Sequence, residues 1–327
     1  VFDRHCQTEM VLAEGTVARF TLHPDQSITI RCGDDPQEVA IAQYQPTRQT
    51  VVEPDASRTR TCAPFDHWTE KEISEQPQSI WAAMNYGARM DPHIHLGGLQ
   101  QNRAVLHSVQ HLVLLACGSS LHAAELALTV FKRVQGLCTV QCFEASEFDE
   151  ERDLPKGCVS ETIGVLIVSQ SGETYDCYQA LQRLRRLQRA GTGVAHIGVV
   201  NHPGSLIARE TSCGVYLNAG REVGVAATKS FTAQVVALTL VALWFAQLRP
   251  EPNQTLLREH RSELERLPAR MADHMARLRV AAEALAPVLS VERSLLLLGR
   301  GPGLSLARES ALKIKELAYV QAEAFAG

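Results

Sequence analysis

From residue 111 onward, apolar and polar positions alternate between two regimes. Near-continuous apolar runs ("HLVLLAC" 111–117, "TIGVLIVSQ" 162–170, "VAHIGVVN" 194–201) give way to stretches where apolar residues recur every three or four positions ("GSSLHAAELALTVFKRV" 118–134, "TYDCYQALQRLRRLQRA" 174–190). The runs suit strands buried on both faces, and the recurrence suits amphipathic helices. "CTVQCFEASEF" (138–148) and "GVYLNAG" (214–220) add strands, and "TKSFTAQVVALTLVALWFAQL" (228–248) reads as a long buried helix. Strand–helix alternation of this kind predicts an α/β fold with a doubly wound parallel sheet.

The flanks read differently. "MVLAEGTVARFTL" (10–22) and "SITIRC" (27–32) predict a small β-rich segment, and the polar, proline-bearing stretch 34–66 predicts a linker. "HWTEKEISEQPQSIWAAMNYGARM" (67–90) predicts a helix broken near Gln76-Pro77, because proline disfavours helix in the residue before it. Residues 254–287 are charged and helical in pattern, with an interruption expected at Pro268. The order of "SLLLLGRGPGLSLARESALKIKEL" (294–317), strand then glycine-rich turn then helix, repeats that of 111–134 and predicts the start of a second α/β copy. The closing "AEAFAG" reads as helical, and with no Met at residue 1 the chain is expected to be part of a longer one. The domain boundaries expected from this pattern are 1–66, 67–250 and 251–327.

Composition narrows the function classes. With 36 acidic and 32 basic residues, the net charge of −4 offers no basic field for nucleic acid or an anionic membrane surface. The apolar core of the long helix, "VVALTLVALWFA" (235–246), is too short to span a bilayer and reads as a core helix. No signal peptide is evident. The 9 cysteines form no CxxC pair, which argues against a zinc site and fits a reducing compartment, so a cytoplasmic location is expected.

In an open parallel sheet, ligands sit beyond the carboxyl ends of the strands. Three loops converge there: "CGSS" (117–120), "SQSGET" (169–174) and "REVGVAATKS" (221–230). The first two bring hydroxyls to helix N-termini, where unsatisfied N–H groups and the helix dipole favour an anion. Neither has the GxxxxGK[ST] or GxGxxG pattern of nucleotide loops, and "GRGPG" (299–303) lacks the third glycine. A phosphorylated small molecule fits better than a nucleotide. The competing reading is plain N-capping, which Ser and Thr favour in any protein. In the helical part of 294–317, Glu309, Lys313 and Glu316 stand four and three residues apart and so share one face. By residue type alone that row is equally a solvated ion-pair face.

Read together, "ACGSSLHAAELA", "EASEF", "SQSGETYD", "REVGVAATKSFTAQ" and "RESALKIKELAYVQAEAFAG" resemble the sugar isomerase (SIS) domains of the glutamine–fructose-6-phosphate aminotransferase family. "EKEISEQPQSI" (70–80) resembles the segment before the first SIS domain, and "MVLAEGTVARF" the last strands of the glutaminase domain. The resemblance implies a flavodoxin-like order for the sheet. It makes 1–66 the end of a glutaminase domain with its linker, 67–250 the first SIS domain, and 251–327 connecting helices with the start of a second. It implies that Ser119 and Ser120 form a first sugar-phosphate loop, that Ser169, Gln170, Ser171 and Thr174 hold the phosphate, and that Val225 and Ala227 line the sugar. Where Ala227 stands the family often has Ser. Glu316 matches the carboxylate that shifts a proton between C1 and C2, with Glu309 and Lys313 beside it. The implied substrates are fructose 6-phosphate and glutamine-derived ammonia, and the implied product is glucosamine 6-phosphate. No metal or organic cofactor is implied, and the implied assembly is a homodimer. The cysteine nucleophile of the glutaminase domain, a ring-opening histidine and an imine-forming lysine match nothing in 1–327. His122 and His202 match no catalytic position.

Two other classes compete with this reading. One is a tandem SIS deaminase or deglycase acting on an amino-sugar phosphate, which the glutaminase-like strands disfavour. The other is a non-catalytic sugar-phosphate sensor. A sensor of the transcription-regulator type would need a helix-turn-helix segment, and none is evident before residue 111.

Overall fold

A computed structural model of the chain describes residues 61–327 except 158, 160–161 and 190–192, and before them only the backbone of five short strands. The chain divides into two units, Val1–Thr61 and Cys62–Gly327. In the first, β1 (Thr8–Met10) pairs antiparallel with β5 (Gln49–Val51), and β2 (Ala18–Leu22), β3 (Ile28–Cys32) and β4 (Val39–Ala40) form a second antiparallel sheet. β4 and β5 fall inside the stretch expected to be a linker, most of which lies outside the described residues.

The second unit opens with α1 (Trp68–Ser74) and α2 (Gln76–Ala83), which meet at Glu75. The break is one residue earlier than expected, because Pro77 sits in the first turn of α2, where its missing N–H costs nothing. α2 stops short of residue 90 because Asn85 (φ 48°) and Tyr86 (φ 53°) turn left-handed. Two short helices, α3 (Gly97–Gln101) and α4 (Arg103–Leu106), lead into the sheet.

The apolar runs become β6 (His111–Ala116), β7 (Thr139–Glu144), β8 (Ile163–Ser169), β9 (Ala195–Val200) and β10 (Cys213–Tyr216). Their order is β10-β9-β8-β6-β7, parallel throughout, with the reversal between β6 and β8. This is the expected doubly wound arrangement, and it puts the ligand crevice at the β6 and β8 ends. α5 (Ser119–Val134) follows β6, a short α6 (Glu150–Asp153) follows β7, α7 (Tyr175–Arg189) follows β8, α8 (Leu206–Glu210) follows β9, and α9 (Lys229–Gln247) follows β10.

Alternate strand residues feed two cores. Leu112, Leu114, Leu166, Val168, Ile197 and Val199 pack with α5 and α9. Val113, Leu115, Val165 and Ile167 pack with Cys177, Ala180, Leu181 and Leu184 of α7. α9 is apolar on nearly every face because it is almost entirely covered, and Trp244 meets Phe245 edge-on at 5.2 Å.

Two expectations are corrected downstream. α10 (Gln254–Leu289) runs unbroken through Pro268. Leu264 and Leu267 before the proline and Met271 after it all pack on the first core, which holds the helix across the missing hydrogen bond. The "AEAFA" segment is a strand, β12 (Gln321–Ala326), parallel to β11 (Ser294–Gly299). α11 (Pro302–Ala318) ends where Tyr319 turns left-handed (φ 55°), and the alternation of buried Ala322, exposed Glu323, half-buried Ala324 and exposed Phe325 has period two.

The β11–α11–β12 segment copies β6–α5–β7 down to its caps. Gly118 before α5 (φ 55°, ψ −131°) matches Gly301 before α11 (φ 57°, ψ −128°). Left-handed Gln135 after α5 (φ 51°) matches Tyr319 after α11 (φ 55°).

Candidate functional site at the β6 and β8 edge

β8 is buried along its whole length and delivers Ser169 at its last position. Ser169 is 1% exposed, and its Oγ accepts the Gly172 N–H at 3.0 Å and lies 2.7 Å from Thr174 Oγ1. Ser171 Oγ accepts the Glu173 N–H at 3.1 Å. Ser169 is therefore spent on the shape of the turn, whereas the half-buried Ser171 keeps a hydroxyl proton to donate outward, and Thr174 does so when Ser169 is the donor of their pair. If Ser169 donates to Thr174, a single chain runs from the Gly172 N–H through two hydroxyls. α7 starts immediately after, at Tyr175, and its first-turn N–H groups have no intrahelical partner. Gln170 contributes its carbonyl to the Asn201 N–H at 3.1 Å, and Glu173 Oε1 accepts the Leu206 N–H at 2.9 Å, which ties the turn to the β9–α8 connection.

At the neighbouring strand end, Gly118 supplies the φ of 55° that turns β6 into α5, so Ser119 and Ser120 open the helix. Ser120 Oγ accepts from Gln234 Nε2 of α9 at 2.8 Å, and Gln234 is buried. Beneath the same edge, Cys117 Sγ lies 3.9 Å from Cys177 Sγ of α7.

Two carboxylates that sequence reasoning did not single out hold the 221–230 loop. Glu222 accepts the N–H groups of Thr228 (2.9 Å) and Ser230 (3.2 Å) and the Ser230 hydroxyl, which places a negative charge on the N-terminus of α9. Glu72, 1% exposed on α1, accepts the Val223 N–H at 2.5 Å and the Gly224 N–H at 3.1 Å. Burial raises the Glu72 carboxyl above its ordinary value, and the two backbone N–H groups pull it back down. Lys229 Nζ completes the lattice by pairing with Glu75 at 2.7 Å. Val225, held between these anchors, is 98% exposed, and Ala227 is half-buried.

α11 packs on α5, and the contact is polar: His122 Nδ1 lies 2.8 Å from Glu309 Oε2. Lys313 Nζ faces Glu309 Oε1 at 3.6 Å and is hydrogen-bonded to Glu316 Oε2. Glu309, Lys313 and Glu316 thus share one face in fact. Glu309 is buried and Glu316 is the outermost of the three, while Lys315 turns away to Glu323 at 3.5 Å. His122 had matched no position by resemblance, yet it links this row to the helix that Ser119 and Ser120 begin. A cavity of about 360 Å³ lies along the same seam, lined by Gly118, His122 and Arg308 among others. Among the described residues, no hydrogen bond or ion pair joins the Glu309–Lys313–Glu316 row directly to the Ser169–Thr174 turn. A cavity of about 550 Å³ near His93, Arg103 and Arg261 contains none of the expected site residues.

Comparison with known proteins gives a consistent picture. A family model described as SIS domain matches residues 105–244. The chain is 36% identical to a glutamine–fructose-6-phosphate aminotransferase [isomerizing] of Chlorobaculum tepidum over 265 residues, covering 80% of this chain and 41% of that protein. It is 36% identical to the corresponding protein of Saccharomyces cerevisiae over 264 residues, covering 80% of this chain and 35% of that one. Among solved structures, the C-terminal domain of glucosamine-fructose-6-phosphate aminotransferase from Francisella tularensis superposes with a TM-score of 0.70 at 27% identity, covering 80% of this chain and 70% of that chain. The chain spans less than half the length of the two sequence relatives.

Proposed function

We propose that the chain, whose residues 105–244 match the SIS domain model and which is similar to isomerising glutamine–fructose-6-phosphate aminotransferases, binds fructose 6-phosphate and forms the sugar half of such an enzyme. The observation that carries this reading is the division of labour in the 169–174 turn. Ser169 is consumed internally, and with Ser169 donating to Thr174 the Ser171 and Thr174 hydroxyls and the first-turn N–H groups of α7 form an anion cradle. Ser119, Ser120 and Gln170 edge the same crevice, with Val225 and Ala227 on its third loop.

In this reading the C2 carbonyl of the open-chain sugar condenses with ammonia and water leaves. The protonated imine acidifies the C1 proton, which the Glu316 carboxylate removes as electrons move toward nitrogen. Return of a proton to C2 and loss of the C1 hydroxyl proton give 2-amino-2-deoxyglucose 6-phosphate. Lys313 holds Glu316 in place, and Glu309 holds Lys313 while bonded to His122.

Calorimetric titration with fructose 6-phosphate tests the cradle. Ser171→Ala is expected to weaken binding by about 1–3 kcal/mol, the value of a hydrogen bond to a charged group. Glu316→Gln should leave that affinity in place and abolish solvent-deuterium incorporation at C1. Unchanged affinity in Ser171→Ala overturns the phosphate assignment, and retained exchange in Glu316→Gln overturns the base.

A further inference from the structure

The two hydroxyl-bearing loops share a feature that sugar binding does not use. Cys117 is the last residue before the Gly118 turn into α5, and Cys177 is the third residue of α7, so each thiol stands at the root of one loop. Their sulfurs are 3.9 Å apart. Cys177 is fully buried, with its Sγ also 3.9 Å from the Val168 carbonyl, whereas Cys117 is half-buried.

We infer that Cys117 and Cys177 form an oxidative modification site, in which hydrogen peroxide converts the pair into a disulfide that joins the two sugar-phosphate loops. The two thiols are chemically unequal. The Cys177 thiol donates toward Cys117 and so favours its thiolate, holding the Cys117 thiol below its ordinary value. Burial of Cys117 and the carboxylates of Asp176 and Glu144 oppose that effect. The hydrogen bond to the neighbouring Cys117 sulfur, with burial adding to it, raises the Cys177 thiol. A depressed, partly accessible thiol beside a buried one is the arrangement of an attacking and a resolving cysteine.

The reaction balances in two steps. The Cys117 thiolate attacks one peroxide oxygen. The S–O bond forms, the O–O bond breaks, and the departing hydroxide takes a proton to become water, leaving Cys117 as a sulfenic acid. The Cys177 sulfur then attacks the Cys117 sulfur. The S–S bond forms, the S–O bond breaks, and the hydroxyl leaves as a second water with the Cys177 proton. Two thiols lose two electrons, and one peroxide gains them.

The bond also changes the crevice. The sulfurs must close from 3.9 Å to about 2.05 Å, and the Gly118 turn moves with one sulfur while the first turn of α7 moves with the other. Ser119 and Thr174 are neighbours of those turns. The loss of binding therefore rests on the sugar-phosphate reading given above, but the cross-link itself does not.

The test treats the intact chain with hydrogen peroxide, blocks remaining thiols with iodoacetamide and maps the peptides by mass spectrometry. The expected result is a Cys117–Cys177 cross-linked peptide that dithiothreitol dissolves. It should be accompanied by a loss of fructose 6-phosphate affinity of at least ~10-fold that reverses on reduction. Cys177→Ser should bind the sugar when reduced, form no cross-link, and carry Cys117 forward to the sulfinic acid under the same treatment. Cys177→Ala repeats the comparison if serine in the core prevents folding. Oxidation that leaves Cys177 alkylated and free, or that links Cys117 elsewhere, overturns the modification site. A cross-link without change in affinity overturns its coupling to the loops. A reduced protein that ignores fructose 6-phosphate yet still forms the cross-link counts against the sugar reading alone.

Discussion

At the scale of single residues, the side chains easiest to find in the sequence differ from those that hold the crevice in shape. Ser169, Ser171 and Thr174 are legible because hydroxyls after a buried apolar run have few purposes, capping or anion binding. Glu72 is not legible, since its backbone partner at Val223 lies 151 residues away. Glu222 is likewise silent in sequence, because a carboxylate six positions before the N–H it accepts matches no local capping spacing. Its geometry nonetheless makes a clear forecast. Removing a charged cap from the N-terminus of α9 in Glu222→Ala is expected to cost about 1–2 kcal/mol in urea denaturation. Glu222→Gln keeps an oxygen for the Thr228 N–H and should recover part of that loss. Equal losses in the two variants would show that the charge matters and the acceptor does not.

At the scale of elements, strand and helix identities follow the hydrophobic pattern, and failures occur where tertiary packing overrides it. The expected break at Pro268 does not occur, because core contacts of Leu264, Leu267 and Met271 hold α10 on both sides of the proline. The β12 segment reads as helix in the sequence because its alanines suit either element, and only pairing with β11 decides between them. The 169–174 turn is the reverse case, where a local feature dictates the element. Gly172 has φ 68°, and a Cβ built there would stand 2.0 Å from Ser205 Oγ and 2.5 Å from Ser205 Cβ. Ser205 is itself buried and caps α8, so it has no room to retreat. Gly172→Ala therefore combines left-handed strain of about 1–2 kcal/mol with a steric clash. The expected outcome is a loss above ~2 kcal/mol in urea denaturation, together with faster hydrogen exchange at Leu206 and Ile207, whose N–H groups bond to the turn. A neutral Gly172→Ala would mean that the turn and the β9–α8 connection are not packed as one.

At the scale of the whole molecule, the parallel sheet buries its inner strands β8 and β9 on both faces, and that burial places a histidine where water cannot reach it. His196 lies in β9 at 1% exposure, with Nε2 lacking any hydrogen-bond partner. Burial, with the Arg185 charge adding to it, holds the imidazole down at about 4 from its ordinary 6.5. The sign of the effect on stability follows directly. Below 6.5 the unfolded chain binds a proton at this position that the folded chain refuses until about 4, so acid favours unfolding across that interval. The shift corresponds to about 3 kcal/mol of stability, present in full above 6.5 and lost progressively as the pH falls toward 4. His196→Leu replaces the group with an apolar one suited to the same core position. The variant should have a flatter stability profile over that interval in urea denaturation, and it should be at least as stable as the parent at its acid end. Carboxylates elsewhere titrate in both proteins, so the difference between the two profiles isolates the histidine. Parallel profiles would mean that His196 becomes protonated within the folded sheet, which would require water or a partner to reach the centre of β9.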